Sequence, residues 1–510
     1  MSYFLKKSNK SPDVVKSKKK KSFRKFLNIF FLFVFFLLLF TSKWYQANFK
    51  GNTIDSVIFT LKAPIKGTNS DVLVSYALDV ILLSLILSAL VFILSILVPK
   101  VTMHIRNRCI RLYPQTLLIL LVLIGLARYP IATISDLKVI DYIHSKMMEP
   151  TTLFEDHYVS PERALLKFPQ TKRNLIYIIL ESMESTYSST QYGGVKQKNL
   201  IPSLTSIALN NTSFSKGSDL TGVQEIFGTG WTIASLVAQT SGVPLVLPID
   251  GNSYSRHSQF MPGIVALGDI LHEQGYHQVF MIGSDGDFGG RKDYLQLHGN
   301  YEILDYNYAI DTHMIPEGYK VWWGYEDAKL YEFAKEELLH LSSQEKPFNF
   351  TMLTVDTHHV SGYVCDLCSN EYEEQYSNVI ACADRQVGQF VEWLSQQPFY
   401  ENTTIIIVGD HLSMDPAYFH DVPESYQRTM YNAIINPLAH AVKKDHRAFS
   451  MLDMFPTTLA ALGVEIEGER LGLGTNLFSN QSTLLEKYGF EYVNEELRKN
   501  SAFYNEFFIQ

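Results

Sequence analysis

Two acids and a histidine stand where apolar runs stop. NLIYIIL (174–180) ends on Glu181, and TTIIIVG (403–409) ends on Asp410 and His411. HQVFMIG (277–283) is followed by Ser284, Asp285 and Asp287, and FNFTMLTV (348–355) by Asp356, His358 and His359. One carboxylate past a strand can be a helix cap. Strand after strand delivering acids or imidazoles points instead to a site. Glu181, Asp410 and His411 supply two carboxylates and an imidazole. That donor set suits zinc or manganese, with magnesium as a further divalent option, and leaves a position for a nucleophile or a substrate oxygen.

A nucleophile is available in GTGWTIASLVAQTSGVPL (228–245), which opens with glycines and hydroxyls and continues as an apolar, helix-like stretch. A hydroxyl at a helix amino end lies beside free amides and the positive end of the dipole, where an anionic phosphate binds well. Thr229 and Thr232 both meet this description. Threonine is a weak nucleophile at neutral pH and needs a metal or a base to activate it, which Glu181, Asp410 and His411 would provide.

The elements that carry these residues follow from the apolar pattern. The four runs are continuous rather than alternating, as strands covered on both faces are. Between them lie IVALGDILHEQGY, YEDAKLYEFAKEELLHLSSQ and NVIACADRQVGQFVEWLSQQ, which are amphipathic at helical spacing. Strand, helix, strand repeated predicts an α/β fold with a doubly wound sheet, whose ligands bind beyond the carboxyl ends of the strands.

The front of the chain is of another kind. The 510 residues are 46% hydrophobic and 19% charged, too apolar on average for a purely soluble chain. The excess sits in residues 26–40, 80–98 and 112–127, of which the first two read as bilayer-spanning helices and the third is marginal. Lys6, Lys7, Lys10, Lys16, Lys18 to Lys21, Arg24 and Lys25 precede the first run. Lys100, Arg106, Arg108 and Arg111 lie between the second and third, so both segments belong in the cytoplasm. Three crossings put everything after about residue 134 outside; two would reverse this. No small-residue cleavage site follows the first run, which reads as an anchor. The expected organisation is a basic tail (1–25), a membrane region of about three helices (26–133), a linker (134–170), a catalytic domain (171–480) and a carboxyl-terminal extension (481–510).

Cys365, Cys368 and Cys382 are too few for a closed zinc knuckle. In an oxidising compartment a disulfide is expected, Cys368 with Cys382, and Cys365 as the alternative partner. The net charge of -8 argues against general nucleic-acid binding.

From about residue 174 to 478 these motifs together resemble the sulfatase-like branch of the alkaline phosphatase superfamily. Within it they are similar to the membrane-anchored enzymes that move phospholipid head groups onto glycans: phosphoglycerol transferases, lipoteichoic acid synthases and lipopolysaccharide phosphoethanolamine transferases. NLIYIILESMESTY, GTGWTIASLVAQTSGVPL, LTVDTHHVSGYVC, IIIVGDHLSM and LDMFPTTLAALG carry the resemblance, in that order. It implies Glu181, Asp410 and His411 as metal ligands, and Thr232 as nucleophile and fourth ligand. Alignment to lipoteichoic acid synthases favours Thr229 instead. His358 takes the place of a histidine on the phosphate or leaving group, and Arg291 that of a basic residue on the head group. Asp285 and His359 join them as substrate-binding candidates. Val360 stands where phosphoglycerol transferases usually have proline.

The implied chemistry is a double displacement through phosphothreonine, with a phospholipid donor and a glycan or lipopolysaccharide acceptor. The expected location is the bacterial inner membrane, multi-pass, with the catalytic domain in the periplasm. Because the chain ends soon after that domain, phosphoethanolamine transfer to the lipopolysaccharide inner core is the expected reaction, and phosphoglycerol transfer to periplasmic glucan the alternative. A periplasmic phosphodiesterase or sulfatase and a non-catalytic scaffold are the rivals. Formylglycine sulfatases require C/S-x-P/A-x-R, and TIASL lacks it.

Overall fold

The computed structural model describes residues 12–49, 54–62, 70–97, 101–105, 108–112, 124, 127–162, 164–246, 260–415, 417–423 and 425–509. They form two compact units: 1–50 with 69–137, and 51–68 with 138–510.

The first unit contains helix α1 (Pro12–Asn48) and a continuous helical stretch made of Ser70–Tyr76, a π-helical turn Ala77–Leu82 and Leu83–Leu97. Ile29–Asn48 and Val72–Leu94 are long and apolar enough to cross a membrane. Leu85, Ile86, Leu90 and Ile93 are exposed along the second, a face that suits lipid rather than water. Polar groups meet between the helices instead: Trp44 Nε1 donates to Ser75 Oγ at 2.9 Å, and Thr41 Oγ1 lies 3.0 Å from the Tyr76 hydroxyl. Val101–Ile105 and Arg108–Leu112 pair antiparallel. The expected third span, 112–127, falls almost wholly outside the described residues.

The second unit is built on a six-stranded sheet. Its strands are β1 (Asn174–Leu180), β2 (His277–Ile282), β3 (Glu302–Leu304), β4 (Phe348–Leu353), β5 (Thr403–Gly409) and β6 (Asn432–Ile435), in the order β3-β2-β4-β1-β5-β6. All pairings are parallel except β5 with β6. Every residue of β1 and β5 is buried, and successive side chains point to opposite faces. Leu175, Tyr177 and Ile179 enter one core while Ile176, Ile178 and Leu180 enter the other. This is why the runs read as continuous. The doubly wound α/β sheet expected from the sequence is present, with the antiparallel edge strand β6 added.

Boundaries differ from expectation in two respects. Helix α2 (Ile54–Lys62), between the two apolar helices, belongs to the catalytic unit: Phe59 is buried there and its ring lies 5.9 Å from that of Trp231. Nor do the expected linker 134–170 and extension 481–510 stand apart from the domain. Phe154 packs on Tyr504 and Phe508, and the Tyr504 hydroxyl donates to Pro244 O. Apolar faces on these short helices must be covered, and the sheet domain covers them.

Candidate active site

Sheet order sets the site. β2, β4, β1 and β5 are neighbours and parallel, so Ser284, His358, Glu181 and Asp410 emerge side by side at one edge. Helix α3 (Thr232–Ser241) brings Thr232 to the same place, with Trp231 as its extended N-cap residue.

Glu181, Asp410 and His411 offer ligand atoms that all lie within 4.8 Å of one another, and all three residues are buried. His411 Nδ1 lies 2.9 Å from Leu412 O, so that nitrogen carries a proton and Nε2 faces the cluster. From Nε2 the distances are 3.3 Å to Asp410 Oδ2, 3.5 Å to Glu181 Oε1 and 3.4 Å to Thr232 Oγ1. Thr232 Oγ1 lies 3.5 Å from Glu181 Oε2. Asp410 Oδ1 accepts from the amides of Ser182 and His411, each at 2.7 Å, whereas Oδ2 is buried without any hydrogen-bond partner. An orphaned carboxylate oxygen beside an aimed imidazole fits a divalent cation.

Charge distribution agrees. Burial and the neighbouring Glu181 raise the Asp410 carboxyl to about 8. Burial alone would lower His411, but Asp410 and Glu181 outweigh it and raise the imidazole to about 9. Burial likewise opposes the Glu181 charge, yet His411 and His358 bring that carboxyl below its usual range. Without a cation the cluster therefore holds protons at neutral pH that a cation would replace.

The backbone is fitted closely around these groups. A Cβ on Gly409 would meet Met183 O at 1.8 Å, so only glycine lets β5 deliver Asp410 beside the loop after Glu181. Glu225 accepts from the Leu412 amide at 3.0 Å, and Glu184 accepts from that of Ser413 at 2.9 Å while pairing with Arg428 through two guanidinium nitrogens. Sequence reading missed this bracket, whose members are far apart along the chain and have no motif of their own.

Thr229 is not at the cluster. It is fully buried in the preceding turn, where its hydroxyl donates to Ile226 O at 2.8 Å and accepts from Ile226 N. Of the two threonines, Thr232 meets Glu181 and His411.

On the other side of the edge, Arg291 Nη2 donates to Asp285 O at 2.9 Å and to Ser284 Oγ at 3.3 Å, and its Nε is buried without a partner. Burial lowers the guanidinium to about 10, opposed by Glu181 and Asp285. The Asp285 carboxylate accepts from the Asp287 amide at 2.9 Å. His358 and His359 stack with centroids 4.5 Å apart, and the peptide bond that follows them is cis. His358 Nδ1 is 2.7 Å from His359 O, and burial lowers its pKa, which favours the neutral ring with a lone pair on Nε2.

The expected Cys368–Cys382 disulfide is not formed; the three cysteines are free thiols. Cys365 is the central sulfur, 3.6 Å from Cys368 and 3.8 Å from Cys382, because its loop folds back onto the helix Gln375–Ser395 that carries Cys382. Spacing along the chain could not reveal which sulfur would be central.

A mixed α/β sheet with acids, imidazoles and a helix-borne threonine at its carboxyl edge defines a class, and the Sulfatase family model matches residues 173–464. The chain belongs to that family, an enzyme of the sulfatase and alkaline phosphatase superfamily. Among curated relatives, Phosphoglycerol transferase I of Xanthomonas campestris pv. campestris (strain B100) is 33% identical over 332 residues, 64% of this chain and 45% of that protein. Phosphoglycerol transferase I of Escherichia coli O127:H6 is 28% identical over 355 residues, 68% of this chain and 44% of that one. The chain thus matches less than half the length of these relatives. The solved integral membrane lipooligosaccharide phosphoethanolamine transferase A of Neisseria meningitidis is 12% identical, with a TM-score of 0.48 over 86% of this chain and 84% of that one.

Proposed function

We propose that the protein transfers phosphoglycerol from a membrane phospholipid to a cell-envelope glycan through a phosphothreonine on Thr232. The observation that carries this reading is the Thr232 hydroxyl, which sits at a helix amino end within 3.5 Å of both Glu181 and His411. Phosphoglycerol replaces phosphoethanolamine as the favoured head group because the relatives at 28 and 33% identity are phosphoglycerol transferases. Glucan therefore takes the place of the lipopolysaccharide core as the favoured acceptor.

In the first step Thr232 Oγ1 bonds to phosphorus and the bond from phosphorus to the diacylglycerol oxygen breaks. The threonine proton leaves on a base, and the departing oxygen takes up a proton. In the second step an acceptor hydroxyl displaces Thr232 and gives up its own proton. Neutral His358, with its Nε2 lone pair, is the group suited to take and return these protons. Arg291, with an uncommitted Nε, binds a phosphate oxygen. Glu181, Asp410, His411 and Thr232 would hold a divalent cation, zinc or manganese, which when bound lowers the threonine pKa and offsets phosphate charge.

Topology supports an extracytoplasmic site. Helix α2 follows the first apolar helix yet packs within the catalytic unit, so the two share one side of the membrane. With the lysine-rich tail inside, that side is outside. An even number of crossings must then separate Lys62 from Lys138. Val72–Leu94 provides one, and the uncharged run 112–127 is the stretch of sequence available for the other.

The test is donor turnover by the full-length protein in mixed micelles of phosphatidylglycerol, with and without the Thr232→Ala change. Diacylglycerol release that depends on Thr232 and needs a glycan acceptor supports transfer. Release to water alone indicates a phosphodiesterase.

A further inference from the structure

Beside the chemistry lies an aromatic wall that the mechanism does not use. The segment Val321–Tyr325 closes on itself, with Val321 N donating to Gly324 O at 2.7 Å and Gly324 N to Val321 O at 2.9 Å. Backbone contacts dock it on the end of β2: Tyr325 N donates to Gly283 O, and Gly324 bridges Ser284. A Cβ on Gly324 would meet Gly283 O at 1.8 Å, so the approach requires glycine. The docked turn holds the Trp323 ring 4.7 Å from His358 and 5.3 Å from Phe288, whose ring in turn lies 5.4 Å from the Arg291 guanidinium.

The hydrogen-bonding balance of this wall is one-sided. The indole N–H groups of Trp322 and Trp323 and Nε of Arg291 are buried with no acceptor. Apart from the His358 Nε2 lone pair, which the mechanism uses, nearby side-chain acceptors are engaged: Asp285 by the Asp287 amide, Asp305 by the amides of Gly286 and Tyr308, Glu326 by Lys329 and Tyr319. Asp356 has unpartnered oxygens and lies against Asp327, whose carboxylate accepts from the Asp356 amide at 3.0 Å. Unpaired buried donors favour a ligand that brings acceptors. A glycerol head group brings hydroxyl oxygens, whereas an ethanolamine head group ends in an ammonium that can only donate.

We propose that Trp323 is a specificity-determining residue. Its ring walls the head-group pocket and its indole N–H donates to a hydroxyl of the transferred group, selecting an uncharged polyol over an ammonium. This rests on the transferase reading above and deepens it.

The experiment measures diacylglycerol release by the full-length protein, with a glucan acceptor present, from phosphatidylglycerol and, separately, phosphatidylethanolamine micelles, with Thr232→Ala as the blank. The expected wild-type result is faster release from phosphatidylglycerol. Trp323→Phe, which keeps the ring and removes the donor, lowers kcat/KM for phosphatidylglycerol about tenfold and leaves phosphatidylethanolamine unchanged. Trp323→His, which restores a ring donor, recovers part of the loss. Equal losses on both donors in both variants, or a wild type that favours phosphatidylethanolamine, overturn the proposal while leaving the transferase reading intact. Wild-type release no greater than the Thr232→Ala blank on either donor overturns both.

Discussion

The two halves of the catalytic edge are built differently. At β1 and β5, the metal-facing groups are held largely by backbone, with Asp410 Oδ2 left open: Asp410 by two amides, His411 by Leu412 O, and the following loop by Glu225 and Glu184. At β2 and β4, aromatic and cationic groups stand beside the acids Asp285 and Asp356, and several N–H donors have no partner. A reaction common to many substrates needs a fixed centre, since small displacements of reacting groups are costly. Recognition of one substrate needs groups that are satisfied only when it arrives. The tied half suits the chemistry, and the untied half suits the choice of head group.

That division can be broken most sharply at Thr232. Thr232→Ala is expected to remove phosphoenzyme and reduce turnover by on the order of 10⁴-fold, whereas Thr229→Ala, which removes the two hydrogen bonds to Ile226 in the turn, keeps the phosphoenzyme and costs about 1–3 kcal/mol of stability. Phosphoenzyme retained by Thr232→Ala would undo the assignment of halves.

Arg428→Ala acts on the tied half at a distance. It strips Glu184 of its partner and loosens the loop after His411, so zinc affinity should fall about 10- to 100-fold by competition titration. Arg291→Ala, on the untied half, should leave zinc affinity unchanged while raising KM. If the two variants behave alike, the halves are not separate.

A smaller effect concerns protons. With His411 raised to about 9 and Asp410 to about 8 in the absence of a cation, zinc binding at pH 7 must release protons, and affinity should rise as pH increases toward 9. Calorimetry in two buffers of different ionisation enthalpy reads the number released; none would mean that the cluster does not take the cation. Smallest of all is the thiol cluster. After mild oxidation, peptide mapping should find Cys365 in the bond, with Cys382 or Cys368 as partner, and a Cys368–Cys382 bond would contradict the geometry.

Much of this was legible in the sequence, and for a physical reason. Strands β1, β2, β4 and β5 are buried on both faces, so their composition alone marks them, and polar residues must appear where each leaves the core. β3 has three residues and β6 four, too short to rise above background. Thr229 and Thr232 look equivalent as letters; the distinction comes from where α3 begins and from the turn that consumes the Thr229 hydroxyl. The Glu184–Arg428 pair, the docking of Trp323 on β2 and the capture of α2 by the catalytic unit are contacts between distant segments, which local periodicity does not encode.

The most direct measurement is peptide mapping of the full-length protein after brief incubation with phosphatidylglycerol, without acceptor and quenched in acid. A phosphoglycerol adduct on Thr232, absent in Glu181→Ala, is the predicted result. Turnover of the donor with the adduct on another residue, or on none, would contradict it.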